Sequence, residues 1–331
     1  MVTPEQLGAE TVLLLAALLD YLIADPDRWL HPVQVMGWII ARLTQIILRT
    51  LPNPRQRRYA GIGLGLLVIL GTGLASWFLL WGLEQWHSWL SWMVEVILLA
   101  SGFAGRSLYQ ATNKVLKALQ QGEMASARNA LSQFVGRDTE ELDEPAILRA
   151  TLESWAENSV DGVMAPLFYA ILGLWLPWVG PVPLVLSYKA ASTLDSMIGY
   201  LREPYRDLGW FSARFEDYLT WWPCRLTVLT LALLSGKPRR VLAICRRDGP
   251  QDPSPNSGWS EAVYAAILGV QLGGENSYQG VKRIKPLLGE PDFPITVDKI
   301  QAAIALTRLC FLLWLVIGVV SGYCLKLIYL V

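Results

Sequence analysis

The sequence carries little charge for its length. Only 17% of its 331 residues are Asp, Glu, Lys or Arg, whereas about a quarter is usual in a soluble protein. The 28 basic residues are balanced by 28 acidic ones, so the chain has no basic surplus with which to bind a nucleic acid. With 53% hydrophobic residues, the composition excludes a disordered chain and indicates a protein of the lipid bilayer.

The motifs of several common enzyme classes are also missing. The sequence contains no GxxxxGKS or GxxxxGKT phosphate-binding loop, no HExxH zinc motif and no GxSxG nucleophile turn. Its two histidines, His31 and His87, are too few for a histidine-based metal centre. The four cysteines are scattered between residues 224 and 324 and have no spacing typical of a zinc site or a disulfide framework.

Long apolar runs are what the sequence has instead. Segments 59–83, 86–105 and 302–325 are each long and apolar enough for a membrane-spanning helix, which needs about 20 such residues. Segments 11–24 and 160–179 are further candidates for crossing the bilayer. The 15 tryptophans agree with this interpretation, because indole rings favour the membrane interface.

The distribution of basic residues predicts the orientation in the membrane. Lys and Arg are absent before residue 28 and frequent from there to residue 58, so the positive-inside rule places loop 25–58 in the cytoplasm. Loop 106–151 then lies on the same side. Its pattern predicts a small helical insert, with one helix to Gln121, a turn at Gly122 and a second helix to Phe134.

Two later segments are harder to place. If 181–200 and 218–235 both cross along with 160–179, the basic run at 237–247 lands outside, which contradicts the charge rule. A 218–235 segment that is buried in protein or dips in without crossing avoids this conflict. We therefore expect an all-α, polytopic protein of the inner (plasma) membrane, one domain over 1–331, with 106–151 as a cytoplasmic helical insert and with broken or re-entrant helices.

Glu153, Glu157 and Asp161 recur every four residues in the block ESWAENSVDG. A helix places all three carboxylates on one stripe, which suits a bound cation, and oxygen ligands favour magnesium over zinc. A solvated helix face paired with Arg149 is the alternative. Pro166 is expected to break the helix just after this stripe.

A second polar block, SYKAASTLDSMIGY, lies inside an apolar segment. Lys189 and Thr193 share one helical face, and Asp195 lies on the next face beside Ser192. Ionisable residues in a membrane segment are costly and usually face a cavity or each other. Both a functional polar face and a structural Lys189–Asp195 pair explain this pattern.

Two more blocks, DPDRWLHPV at 25–33 and DPSPNSGWSEA at 252–262, interrupt the apolar chain. The first is either a solvated connector or part of a site. In the second, Asn256 or Ser257 can cap a helix that runs toward Leu272. The free N–H groups at the start of this helix either bind a phosphate or take part only in the cap. The following LGGENSYQG is expected to be a flexible polar loop.

Together these blocks resemble the adenosylcobinamide-phosphate synthases of cobalamin biosynthesis, the CobD/CbiB family. The matching stretches occur in the family's order between about residues 20 and 290, and they are DPDRWLHPV, ESWAENSVDGVMAPLFYAILG, YKAASTLDSMIGY, YRDLGWFSARFEDYLTWWPCRLT, PSPNSGWSEA and LGVQLGGENSYQG. The sequence departs from the family pattern at several positions, including Glu216 in place of Asp, Thr220 in place of Asn and Asp252 in place of His.

The resemblance implies an ATP-dependent amide ligase with its active site facing the cytoplasm. It joins the carboxylate of adenosylcobyric acid, a corrinoid, to the amine of aminopropanol or aminopropanol phosphate. The expected partners are these substrates and the lipid bilayer, with no nucleic acid. Self-association and contacts with other membrane enzymes of the corrinoid pathway stay open. A signalling role without catalysis and a small-molecule transporter are the rival interpretations.

Within this reaction we expect three groups of residues. His31, Lys189 and Asp195 are candidates for catalysis, with His31 taking the ammonium proton because imidazole is the side-chain base suited to neutral pH. Magnesium is expected on Glu153, Glu157, Asp161 and Asp217. Residues expected to bind substrate or phosphate are Arg28, Asn158, Ser192, Thr193, Arg214, Arg225, Asn256 and Ser257.

Overall fold

Helices make up most of the protein. The computed structural model describes residues 4–23 and 31–329. In chain order the helices are α1 (Pro4–Leu22), α2 (Pro32–Thr50), α3 (Pro54–Trp86), α4 (Ser88–Ala100), α5 (Gly105–Gln120), α6 (Met124–Ser132), α7 (Glu144–Ser159), α8 (Ala165–Trp175), α9 (Pro181–Ile198), α10 (Tyr205–Leu208), α11 (Trp210–Leu234), α12 (Pro238–Asp248), α13 (Ser257–Leu268) and α14 (Val297–Tyr329). The mostly helical class is confirmed.

Three helical stretches of the described chain are long and apolar enough to cross a membrane. They are Pro54–Trp86, Ser88–Gln120 and Val297–Lys326, and they contain the three apolar runs that the sequence marks most clearly. Segments 11–24 and 160–179 do not meet the same criteria among the described residues. Crossing by these two segments, and the re-entrant course of 218–235, stay predictions.

The expectation of an all-α fold is wrong at one place. Strands β1 (Gln271–Tyr278) and β2 (Val281–Gly289) pair as an antiparallel hairpin, where a flexible loop was expected. The two-residue turn at Gln279 and Gly280 has positive φ at both positions, and a turn of that kind matches the twist of paired strands. The two glycines of β1 therefore serve a bulge and Gly280 serves the turn, although the composition of the segment alone suggests a loop.

The helix break expected at Pro166 is also wrong. The backbone from α7 passes through a π-helical segment, Val160–Met164, directly into α8. Pro166 lacks the N–H that would bond to the carbonyl four residues back. One wider turn accommodates such a defect without ending the helix.

The chain forms two compact units. The first comprises the described residues up to Ala104, then Ala165–Leu219 and the residues from Trp314 onward. In this unit α3 packs along α9, and α1 packs on α4. Gly61 and Gly65 permit close helix contacts, because a Cβ there would meet the Leu208 backbone and the Phe211 ring respectively.

Not every glycine of α3 has this packing role. Gly73 does, since a Cβ there would meet Ser187, but Gly71 has no atom within 4 Å of a Cβ position. Gly71 therefore permits no close helix contact among the described residues. Gly63 is equally open.

The second unit comprises Gly105–Met164 and Thr220–Leu313. It contains the expected helical insert, with α5 and α6 joined at Gly122, whose φ is +75°. Helix α7 packs against α13, and the hairpin packs against both of them. Asp138 closes the turn end of the hairpin by accepting hydrogen bonds from the Ser277 hydroxyl at 2.6 Å and from the Gln279 and Gly280 amides.

These hydrogen bonds hold the pKa of Asp138 below its ordinary value, the Ser277 bond being the largest cause. A carboxylate with a lowered pKa in the folded state stabilises the fold fully above its unfolded pKa. That contribution is lost as the pH falls through the lowered value. The tie between Asp138 and the hairpin is therefore intact at neutral pH.

We predict that Gly61→Ala destabilises the first unit whereas Gly63→Ala does not. The added methyl group at residue 61 must displace the Leu208 backbone, and such overpacking costs about 1–3 kcal/mol. Thermal unfolding of both variants in detergent measures the difference. Equal melting temperatures would contradict the close contact between α3 and α10.

Candidate functional site

The second unit holds a cluster of buried charge centred on Glu153. This residue of α7 is 1% exposed. One carboxylate oxygen lies 2.5 Å from Nη2 of Arg137, and the other accepts a hydrogen bond of 2.7 Å from the backbone N–H of Gly273. Because a buried charge needs such partners, Glu153 joins α7 to the loop before it and to β1.

The bulge in β1 brings the Gly273 amide to this carboxylate. The strand register shifts between Leu272 and Gly274, and Gly273 and Gly274 have φ values of +88° and +85°, which favour glycine. Arg149 holds the same stretch from the side. It donates to the carbonyl of Gly273 and, at 2.9 Å, to that of Glu275.

A second part of the cluster surrounds Lys285. This residue of β2 places its ammonium 2.8 Å from Oε1 of Glu261 on α13 and 3.9 Å from Oδ2 of Asp252. Glu261 is completely buried. Burial opposes the charged lysine, but Glu261, Glu153 and Glu157 outweigh it and raise the pKa of Lys285. The lysine is therefore a cation at neutral pH.

Two acidic groups of the cluster, Glu261 and Glu157, have a raised pKa. Burial raises the pKa of Glu261, with Glu153 and Glu157 adding to the shift against the effect of Lys285. Burial also raises the pKa of Glu157, although its side chain is accessible to solvent. Glu157 is thus closely surrounded by protein yet open to water, as expected of a residue that lines a recess.

The carboxylate stripe is brought together only in part. Glu153 and Glu157 belong to the cluster, whereas Asp161 lies in the π-helical segment and is only partly exposed. The described residues include no group of three or more His, Cys, Asp or Glu side chains arranged to hold a metal ion. Glu153 already has Arg137 as its counterion. The stripe therefore does not fit the expected magnesium site.

Arg225 and Asn256 lie close together because they contact each other directly. Arg225 donates to the Asn256 side chain at 3.3 Å and to the Pro255 carbonyl at 2.7 Å. Its guanidinium lies 4.3 Å from the centre of the Trp259 ring. These contacts make Arg225 a support for the 253–257 loop.

The expected cap geometry of α13 differs in detail. The helix starts at Ser257, and the Asn256 side chain makes no capping hydrogen bond. The helix ends at Leu268, short of Leu272, because Gly269 adopts a left-handed conformation.

The residues of the second polar block lie on α9 in the first unit. Thr193 donates its hydroxyl to the Lys189 carbonyl at 2.6 Å, and Lys189, Ser192 and Asp195 are half-buried. A Cβ at residue 199 would collide with the Asp195 carboxylate, so Gly199 leaves room for that group.

The remaining expected residues have local roles or lie elsewhere. His31 caps α2, its Nδ1 accepting from the Val33 amide at 3.3 Å, and Arg28 lies outside the described residues. Asn158 donates to the Ser154 carbonyl one helical turn back. In α11, burial raises the pKa of Asp217 and Arg214 opposes the shift.

Comparison with known proteins decides the family. Residues 13–307 match the profile of the family described as CobD/Cbib protein. The chain belongs to the CobD/CbiB family. It is 56% identical to the cobalamin biosynthesis protein CobD of Synechocystis over 92% of this chain and 89% of that protein. No solved structure matches the chain.

More distant members of the CobD/CbiB family give the same result. The cobalamin biosynthesis protein CbiB of Salmonella choleraesuis is 41% identical over 88% of this chain and 91% of its own length. CobD of Photorhabdus laumondii is 40% identical over 90% of this chain and 95% of its own. These names support a role for the chain as an enzyme of cobalamin biosynthesis.

Sequence reasoning missed three central members of the cluster in this CobD/CbiB chain. Glu261 stands in the PSPNSGWSEA block, and its position four residues after Ser257 on a helix was a usable signal. Lys285 and Arg137 had no comparable signal, because their partners are more than 15 residues away in sequence. Only the pairing of β1 with β2 and the packing of α7 reveal these contacts.

We predict that Glu153→Gln destabilises the protein by about 3–5 kcal/mol, since it leaves the buried Arg137 without its counterion. Glu275→Gln is the matched control, because the Glu275–Lys282 pair is exposed and such pairs contribute about 0–1 kcal/mol. Unfolding in detergent followed by tryptophan fluorescence measures both. Equal losses would show that the Glu153 pair has no special structural weight.

Proposed function

We propose that this protein is the ATP-dependent amide ligase that joins adenosylcobyric acid to aminopropanol or aminopropanol phosphate. The main observation in support is the buried cluster of Glu153, Glu261, Arg137 and Lys285, with Glu157 open to solvent, inside the part of the chain that matches the CobD/CbiB family. Buried, paired charges next to an accessible acid suit a site for charged substrates. Membership of a family named for cobalamin biosynthesis narrows the substrates to corrinoids and their precursors.

The reaction needs activation of the carboxylate. A carboxylate oxygen attacks the γ-phosphorus of ATP, which gives an acyl phosphate and releases ADP. The neutral amine nitrogen then attacks the acyl carbon, the bond from that carbon to the phosphate oxygen breaks, and inorganic phosphate leaves with the bonding pair. The amine must lose one proton before its attack and another afterwards.

The residues proposed to contact the phosphoryl group are cationic side chains of the first unit. Lys189 and Arg214 are our candidates, since phosphoryl transfer depends mainly on positioning and charge stabilisation. Magnesium is proposed to accompany ATP as the counterion of its phosphates. No step is assigned to a magnesium ion held by the 153–161 stripe, because that stripe does not form a ligand set.

A purified sample in detergent with adenosylcobyric acid, aminopropanol phosphate, ATP and magnesium tests the proposal. We expect an amide product of the summed mass, with ADP and phosphate in equal amounts. Lys189→Met should slow turnover by roughly 100-fold or more, while the same change at the exposed Lys237 should not. ADP release without amide, or no turnover by folded protein, would contradict the proposal.

We also propose a multi-pass course through the inner membrane, with residues 25–58 and 106–151 in the cytoplasm. The support is the distribution of basic residues together with the three long apolar stretches. ATP and the corrinoid are then available on the side where the second unit presents its helical insert.

Single cysteines test this topology, in a background where the exposed Cys324 is replaced by Ser. We expect a membrane-impermeant thiol reagent added to intact cells to label Gln85→Cys, in the last turn of α3 next to the link between two proposed spans. The same reagent should leave Gln56→Cys and Gln121→Cys unlabelled until the cells are opened. Labelling of the last two in intact cells would overturn the orientation.

A further inference from the structure

In the described part of the chain, three buried carboxylate oxygens of the cluster accept no hydrogen bond, and one of them, Oε2 of Glu153, lies 2.5 Å from Arg137. Among the described residues, Oε2 of Glu261 and Oδ2 of Asp252 are buried and accept no hydrogen bond. Glu261 is completely buried, and the Asp252 side chain is 6% exposed. A buried acceptor without a partner costs free energy comparable to a lost hydrogen bond. Both oxygens therefore need a donor that the described residues do not supply.

The charges around these oxygens are compatible with a further cation. Arg137 is engaged by Glu153 at 2.5 Å, so Lys285 is the cation that faces both Glu261 and Asp252. The fields of Glu153 and Glu157 act on the same lysine. Burial and the neighbouring Glu153 and Glu157 outweigh the effect of Lys285 and favour a proton on Glu261. A positively charged ligand can take the place of that proton.

One acid of the cluster is accessible to solvent. Asp252 follows the short turn Gly249–Gln251, and its Oδ1 accepts from the Ser254 amide at 2.9 Å, which aims Oδ2 toward Lys285. Glu157 contributes to the same electrostatic environment as Asp252 and Lys285 and is accessible to solvent. Glu157 therefore marks the side from which a cationic group would approach the inner pair.

The geometry favours an ammonium group over a metal ion. Among the described residues, no His, Cys, Asp and Glu group is arranged for metal binding, and Lys285, which lies within 4 Å of both carboxylates, repels a divalent ion more strongly than a singly charged ammonium. A primary ammonium offers three N–H donors on a compact head. Two of them match the two unpartnered oxygens, and the third is left for Glu157 or water.

We propose that Glu261 and Asp252 bind the primary ammonium group of the amino-alcohol substrate, with Glu157 at the entrance of this subsite. The assignment rests on the proposed ligase function, because it identifies the ligand with the amine of that reaction. It adds the residues that select an amine over a neutral alcohol.

Calorimetric titration of the full chain in detergent tests the subsite. The probes are aminopropanol phosphate and propanediol phosphate, in which a hydroxyl replaces the amine. We expect the amine to bind at least about tenfold more tightly than the alcohol, since a charge-assisted hydrogen bond is lost in the alcohol. Glu261→Gln and Asp252→Asn should each remove most of this preference, while the affinity for ATP stays unchanged.

Matched variants keep the result interpretable. Glu275→Gln removes an exposed acid of the same hairpin and should bind the amine as the wild type does. Glu157→Gln changes an accessible side chain, so this variant should fold normally. We expect its affinity for the amine to be two- to tenfold lower. It therefore tests the entrance even if a buried substitution impairs folding.

The outcomes separate the subsite from the reaction. The subsite alone would be overturned if the wild type ligates its substrates and the variants bind the amine as tightly as the wild type does. These variants are Glu261→Gln, Asp252→Asn and Glu157→Gln. Equal affinity of the wild type for the amine and the alcohol would also overturn the subsite. So would a magnesium ion that competes with the amine and stabilises the wild type but not Glu261→Gln. A wild type that neither ligates nor binds the amine would overturn the proposed function as well.

Discussion

The buried carboxylate of Glu153 is the constraint on which the second unit depends. Its charge is stable there only because Arg137 and the Gly273 amide both reach it. That requirement sets the course of β1, since the amide points at Glu153 only from a bulge that two glycines with positive φ make possible. Removing any one of these parts leaves a buried polar group without its partner.

The hairpin is positioned by charge at several points along its length. Asp138 binds the turn, Arg149 binds the bulge, and Asp248 accepts from the Gly289 amide at 2.8 Å at the open end. Lys285, between these anchors, therefore reaches Glu261 from a rigid strand. A site supported in this way holds its charges in place before a substrate arrives, which is a requirement for efficient electrostatic catalysis.

Local patterns predicted those parts of the structure that depend on local physics. Helices α3 and α14 follow from long apolar runs, and the turn at Gly122 follows from a glycine between two helical patterns. The proximity of Glu153 and Glu157 follows from their four-residue spacing on a helix. The family resemblance was carried by whole blocks of sequence, and the match over 13–307 confirms it.

The remaining features depend on contacts between distant residues. The partners of Arg137 and Lys285 lie on other elements, so no window of sequence contains them. The hairpin was missed because Gly273, Gly274 and Gly280 make its sequence resemble a loop, although each glycine serves a defined bend. Arg225 donates to the Pro255 carbonyl and Asn256, about 30 residues further along the chain, and its expected role in binding a substrate stays a prediction.

The most direct test of the ligase assignment follows one oxygen atom through the reaction. Adenosylcobyric acid labelled with oxygen-18 in its reacting carboxylate is turned over with ATP and aminopropanol phosphate, and the released phosphate is analysed by mass spectrometry. Attack of the carboxylate on ATP followed by attack of the amine predicts one labelled oxygen in each phosphate. Amide product accompanied by unlabelled phosphate would contradict the account.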